Sequence, residues 1–169
     1  RVVYQADQVT DNVWELGSVL IGGGTVTQLN SALVSGGVVI AQLISANSLR
    51  VVYTADQDTN DVLELYSVPI GGGTATKLNS AIVSGGFVFD MQISADSQRV
   101  VYRADQDTDE ITELYSVPIG GGTVTKLNTA LPAGGLVRDF KISADGLRVL
   151  YVGDQDTDEV FELYSVPIG

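Results

Sequence analysis

The motif Arg-Val-Val-Tyr begins at Arg1, Arg50 and Arg99 and returns as Arg-Val-Leu-Tyr at Arg148, a spacing of 49 residues each time. A constant period of this length restricts the chain to stacked supersecondary units that bury their apolar faces against one another. Residues 50–98 and 99–147 share 33 of 49 positions, so each unit should adopt the same local structure. The repeats run 1–49, 50–98, 99–147 and, in part, 148–169, which makes about 3.5 units in a single propeller-like stretch over 1–169.

Helical repeats of this length would place apolar residues at i, i+3, i+4 and i+7, and the chain does not. Its periods consist of short runs rich in β-branched and aromatic residues, such as "RVVYRAD", "TELYSVPI" and "TVTKLN", which favour strands. Between them lie "SADG", "DQDTDE", "IGGGT" and "NTALPAGG", whose Gly, Asn, Asp, Ser and Pro favour turns. Four strands per period follow, the arrangement of an all-β propeller built of four-stranded antiparallel blades. The predicted strands are A over about Val137–Ser143, B over Arg148–Asp154, C over Phe161–Ile168 and D, in the preceding repeat, over Thr123–Asn128. Trp14 is placed in strand C. Asp145-Gly146 suits a tight A–B hairpin. Asn47-Ser48 and Asp96-Ser97 suit it less well, so that turn is expected to vary. Tyr4, Tyr53, Tyr102 and Tyr151 on strand B read as core, "GGGT" as the C–D hairpin, and Lys77 and Lys126 on the outer strand as charges that discourage edge pairing.

The segment "ISADGLRVLYVGDQDTDEVFELYSVPIG" resembles the repeats of the TolB-like β-propellers, whose hallmark is Ser-Pro-Asp-Gly followed by a strand, a turn and a second strand. The resemblance extends over the whole chain. Ala46, Ala95 and Ala144 replace the hallmark proline, and the Trp-Asp pair of the WD-type propellers is absent. The resemblance implies a protein-interaction scaffold in an extracytoplasmic or cell-surface bacterial setting. It carries no activity with it, because propellers host many unrelated functions.

Fourteen strands are expected, about half of a seven- or eight-bladed ring. The chain opens on Arg1 and closes on "SVPIG", which reads as cuts inside a larger pattern or a trimmed chain. Three states fit: two copies closing one ring, a small four-bladed monomer, or a part of a longer array. Self-association to close the ring is the expected one, because open blade faces of several hundred Å² invite association.

Charge narrows the partners. With 21 acidic against 9 basic residues, the net charge is −12. Nucleic acid is not an expected partner, and a basic protein is. No apolar run approaches the roughly 20 residues that cross a bilayer as a helix, so membrane insertion is not expected. Thirteen of the 21 acidic residues fall in the B–C loops. The D-x-D-x-D spacing of "DQDTD" offers alternate carboxylates of the kind calcium favours, with Asp56, Asp58, Asp105, Asp107, Asp109, Asp154, Asp156 and Asp158 as candidate ligands. The loop lacks the glycine an EF-hand requires, since Glu110 or Glu159 stands there, and no helix flanks it. Two further readings stand beside calcium: carboxylates that shape the turn through backbone hydrogen bonds, and a docking face for a basic partner.

An enzyme is not expected. Histidine and cysteine are absent, which removes Ser-His-Asp and Cys-His catalysis. Asp90 and Asp139 on strand A recur in successive repeats, where acid–base work would need two carboxylates in contrasting environments. They read as partners of the arginine that opens strand B. The reading is therefore a non-enzymatic scaffold for protein interaction or self-assembly, and the alternative is a calcium-dependent ligand-binding module, with glycans among its ligands.

Overall fold

The computed structural model of the chain describes residues 1–8 and 10–169. Fourteen strands and no helix form among them. They are β1 (Val2–Ala6), β2 (Glu15–Val19), β3 (Thr27–Gln28), β4 (Val39–Ile44), β5 (Arg50–Ala55), β6 (Glu64–Pro69) and β7 (Thr76–Lys77). The series continues with β8 (Val88–Ile93), β9 (Arg99–Ala104), β10 (Glu113–Pro118), β11 (Thr125–Lys126), β12 (Val137–Ile142), β13 (Arg148–Gly153) and β14 (Glu162–Pro167). The predicted strand D shrinks to two residues at β11, because Gly121 and Gly122 turn at φ 92° and 140° and hold the chain off the ladder until Thr125. Trp14 lies just before β2 rather than in it.

Contacts divide the chain into two compact units, Arg1–Leu78 and Asn79–Gly169. The first holds the sheets β1-β2-β3 and β4-β5-β6-β7, and the second holds β8-β9-β10-β11 and β12-β13-β14, all antiparallel. Each is the A-B-C-D meander expected of a blade, complete in β4–β7 and β8–β11.

Register explains why the same words recur. The strand-B tyrosines stand opposite strand-C tyrosines as Tyr53↔Tyr66, Tyr102↔Tyr115 and Tyr151↔Tyr164. Their rings stack with centroids 5.3, 5.3 and 5.1 Å apart, a spacing that adds to area burial. In the first repeat Tyr4 faces Gly17. Each opening arginine donates from Nε to the serine of strand C: Arg1 to Ser18 at 3.0 Å, Arg50 to Ser67 at 2.8 Å, Arg99 to Ser116 at 2.8 Å and Arg148 to Ser165 at 2.7 Å.

The A–B turn does not vary as expected. Ser45, Ser94 and Ser143 each donate a hydroxyl to the Asx side chain two residues on, at 2.8, 2.6 and 2.6 Å. This clamp holds Ser48 and Ser97 at φ 58° and 61°, where Gly146 sits at 72°. The side-chain bonds offset the strain a serine meets there.

Within each unit the two sheets pack face to face. Leu16 and Leu29 from the first sheet meet Val39, Val51 and Val68 from the second, and Leu114 meets Val137, Phe140 and Val149 in the other unit. Leu16 and Leu114 are fully buried, and each such side chain contributes about 1.5–3 kcal/mol relative to exposure. Strand A of the second sheet is anchored on the entry to strand C of the first, Val39 N–H donating to the Trp14 carbonyl at 3.0 Å and Val137 N–H to that of Thr112 at 2.8 Å.

Candidate functional site

The acidic B–C loops are built around their first aspartate. Asp56, Asp105 and Asp154 are almost wholly buried, and their Oδ1 atoms accept the N–H groups of Val38, Phe87 (2.6 Å) and Leu136 in the D–A connection. Oδ2 of Asp56 and of Asp154 accepts the N–H of Asp61 and Glu159, each at 3.2 Å. A buried carboxylate is tolerable only when its oxygens are saturated in this way. The bonds also hold Asp61 and Glu159 at φ 62° each, and Glu110 takes the same bend at 64°, the left-handed conformation that glycine would otherwise supply.

The following glutamine completes the clamp. Gln57 Oε1 accepts the Ser31 N–H at 3.0 Å and the Tyr53 hydroxyl at 2.9 Å, and Gln155 Oε1 accepts Thr129 N–H at 3.0 Å and the Tyr151 hydroxyl at 2.7 Å. The Asp-Gln pair therefore ties the B–C loop to the D–A connection, and the two form one surface.

The second aspartate has a different partner. Lys77 Nζ lies 2.7 Å from both Asp58 and Glu64, and Lys126 Nζ lies 2.8 Å from Asp107 and 2.7 Å from Glu113. The tyrosine hydroxyls of Tyr66 and Tyr115 donate to the same glutamates at 3.0 and 2.9 Å. Burial lowers the affinity of both lysines for the proton, but hydrogen bonds to Asp58 and Glu64, or Asp107 and Glu113, outweigh it and raise them above the ordinary lysine value. Burial, followed by the adjacent glutamate, pushes both tyrosines up. These lysines sit on the edge strands β7 and β11, as the sequence suggested, and in addition pair with two carboxylates each.

The third aspartate abuts glycine. A β-carbon on Gly85, which sits at φ +95°, would fall 2.6 Å from Asp109 Oδ1, and one on Gly134 would fall 3.3 Å from Asp158 Oδ1. Among the described residues no group of three or more carboxylates is arranged to hold a metal ion. Asp90 pairs with Arg103 at 2.7 Å rather than with Arg99, which opens its strand B, and Asp139 accepts the N–H of Phe140 at 2.8 Å.

Beside these loops lie open clefts of matching construction. One in the first unit, about 500 Å³, is lined by Thr10, Val13, Glu15, Gln28 and the connection from Ala32 to Gly36. One in the second, about 510 Å³, is lined by Thr108, Ile111, Glu113, Lys126 and the connection from Ala130 to Gly134, with Asp109 at its side. Nine lining residues of one have their counterparts 98 positions, or two repeats, along in the other, with Asn30 and Asp109 the exceptions. Both fall within the 300–1,000 Å³ common for ligand sites, and both combine an apolar wall with a few polar groups.

Sequence reasoning singled out the aspartates and passed over the glutamates. The signal was present: Glu64 and Glu113 each precede a lysine by 13 residues, whereas Glu15 precedes Gln28.

No family model matches the chain, and no curated protein sequence matches it. Solved structures resemble it at low identity. A protein described as TolB from Agrobacterium tumefaciens matches with a TM-score of 0.61 and 15% identity, over 98% of this chain and 57% of that one. A puromycin-hydrolyzing peptidase from Mycobacterium tuberculosis gives 0.63 and 12%, over 99% of this chain and 29% of that one. An oligogalacturonate lyase in complex with manganese gives 0.57 and 13%, over 95% and 42%. The chain thus spans little more than half of these structures at most. Identity this low speaks to fold alone. With the 49-residue period and the four antiparallel sheets, these neighbours show that the chain has a β-propeller fold whose blades resemble those of the TolB-like proteins.

Proposed function

We propose that the chain is a non-catalytic β-propeller scaffold whose acidic loop face takes a basic segment of a partner protein. The observation that supports this most is the recurrence of one cleft, near 500 Å³, at positions two repeats apart, with Glu15 in one and Asp109 and Glu113 in the other. A net charge of −12 draws cationic partners toward such a face and speeds their encounter. The lack of histidine and cysteine supports a non-enzymatic role, and the resemblance to TolB-like proteins supports a bacterial extracytoplasmic setting.

Titration calorimetry with a short lysine-rich peptide tests the reading. Binding that weakens as salt rises is the expected result. Absence of binding at low salt, or equal binding of an acidic peptide of the same length, would overturn it.

A second reading, association with another copy, is favoured by the open face of β12–β14. Leu163 is 69% exposed and Leu150 37%, and an apolar groove of about 190 Å³ lies between Phe140, Leu150 and Leu163. The corresponding leucine of β10, Leu114, packs against another such sheet. The partner proposed here is therefore a blade of a second copy, and light scattering should give twice the chain mass. A monomer at high micromolar concentration would count against it.

A further inference from the structure

The first repeat departs from the others at linked positions. Gly17 stands where Tyr66, Tyr115 and Tyr164 stand, Gln28 where Lys77 and Lys126 stand, and Val9, outside the described residues, where Asp58, Asp107 and Asp156 stand. The glutamate those groups surround is kept, as Glu15.

The consequences are local and physical. Gln28 donates to Glu15 Oε1 at 2.8 Å. Oε2 of Glu15 is buried with no hydrogen-bond partner among the described residues. Its counterpart on Glu64 accepts the Tyr66 hydroxyl, with Lys77 on the other oxygen, and its counterpart on Glu113 accepts both the Tyr115 hydroxyl and the Lys126 ammonium. A cavity of about 30 Å³ lies among Tyr4, Glu15, Gly17, Val26 and Gln28, beside a Gly17 that Val26 and the Tyr4 ring crowd, since a β-carbon there would fall 3.1 and 3.4 Å from them. About 10–15 Å³ suffices for one water-sized group, so an ammonium fits. A buried carboxylate oxygen without a donor costs free energy that a ligand can recover.

We propose that Glu15, beside the cavity that it lines with Tyr4, Gly17 and Gln28, binds a primary ammonium group, the lysine side chain of a basic partner. The sister repeats serve as the template: this glutamate takes a lysine Nζ at 2.7 Å wherever the chain supplies one. In the first repeat the chain supplies Gln28 instead, and the ammonium comes from outside. Glu15 lines both this cavity and the larger cleft, so an ammonium entering either one meets its carboxylate. Tyr4 provides an aromatic wall that favours a cation near it. The proposal rests on the scaffold reading for the identity of the partner, though not for the chemistry of the site.

The test uses Nα-acetyl-lysine methylamide as the probe, with amide chemical shifts of 15N-labelled protein as the readout. Shifts centred on Gly17 and Glu15 are expected, and they should weaken about tenfold or more in Glu15→Gln, as loss of a charge-assisted bond implies. A double variant, Gly17→Tyr with Gln28→Lys, rebuilds the sister arrangement once Val26 gives by a few tenths of an ångström, and with folding verified by its amide spectrum it should abolish the shifts. The norleucine analogue, of like length without the ammonium, should give none. Shifts that persist unchanged in either variant, or that map to other repeats, would overturn the site. Should the lysine-rich peptide bind equally well to the double variant, the scaffold reading stands and the site fails. Should the small probe shift Gly17 while the peptide does not bind, the site stands and the scaffold reading fails.

Discussion

β10 and β14 carry the same six residues, Glu-Leu-Tyr-Ser-Val-Pro, and pair with strand B in the same register. In β10 the first five are buried, with Leu114 at 0% exposure, whereas in β14 Leu163 is 69% exposed and Glu162 and Ser165 also face outward. The difference is the neighbourhood. β10 has β11 at its edge and the β12–β14 sheet against its face, while β14 ends its sheet. Identical local structure thus carries very different energy, because stabilisation comes from what covers a side chain rather than from the strand that bears it.

The largest expected effect divides these two strands. Leu114→Ala should destabilise the chain by about 3 kcal/mol, as a buried leucine truncation does, whereas Leu163→Ala should change stability by less than about 0.5 kcal/mol. Urea unfolding of the two variants decides it, and equal losses would mean that the β14 face is covered in solution.

Next in size is a pair that the comparison says should behave alike. Asp105 and Asp154 are both buried and both accept a connection N–H. Replacement of either by alanine should cost about 1–3 kcal/mol by leaving that N–H unpaired, and a tolerant Asp154 would show that the β13–β14 loop is loose.

The tyrosines separate at alkaline pH. Tyr164, raised to about 12 by partial desolvation and the bond to Glu162, should ionise before Tyr115, which burial and Glu113 hold higher. A tyrosine whose folded value exceeds its unfolded value near 10 lends stability fully below about pH 10, and that stability is lost as pH rises through the folded value. Absorbance at 295 nm should lose a lower-lying step in Tyr164→Phe than in Tyr115→Phe, and the reverse order would overturn the assignment.

The smallest expected change concerns the loops themselves. Millimolar calcium should leave Tm unmoved, because Asp56, Asp105 and Asp154 accept N–H groups of the connection and Asp58 and Asp107 each pair with a lysine. A rise of several degrees would restore these aspartates as ligands.

The strand order was legible in advance because a period of 49 and alternating strand and turn compositions are local signals. The four-stranded meander, the "GGGT" turns and the buried Tyr53 and Tyr102 all follow from them. The acidic loops were legible only as a concentration of charge. Nothing in the order of "DQDTDE" says that its first aspartate reaches back 18 residues to Phe87, or that the second meets a lysine 19 residues on. Such bonds join segments brought together by the meander, and several polar side chains of similar reach compete for each partner.

By itself, then, the sequence determined that the chain forms repeated antiparallel sheets whose B–C loops are strongly acidic, since hydrophobic pattern and turn residues act within a few positions. Only the tertiary structure decided which carboxylates are spent on backbone, which are paired with lysine, and that Glu15 alone keeps a buried oxygen without a donor among the described residues. Those outcomes depend on distances between strands and connections that no local rule contains.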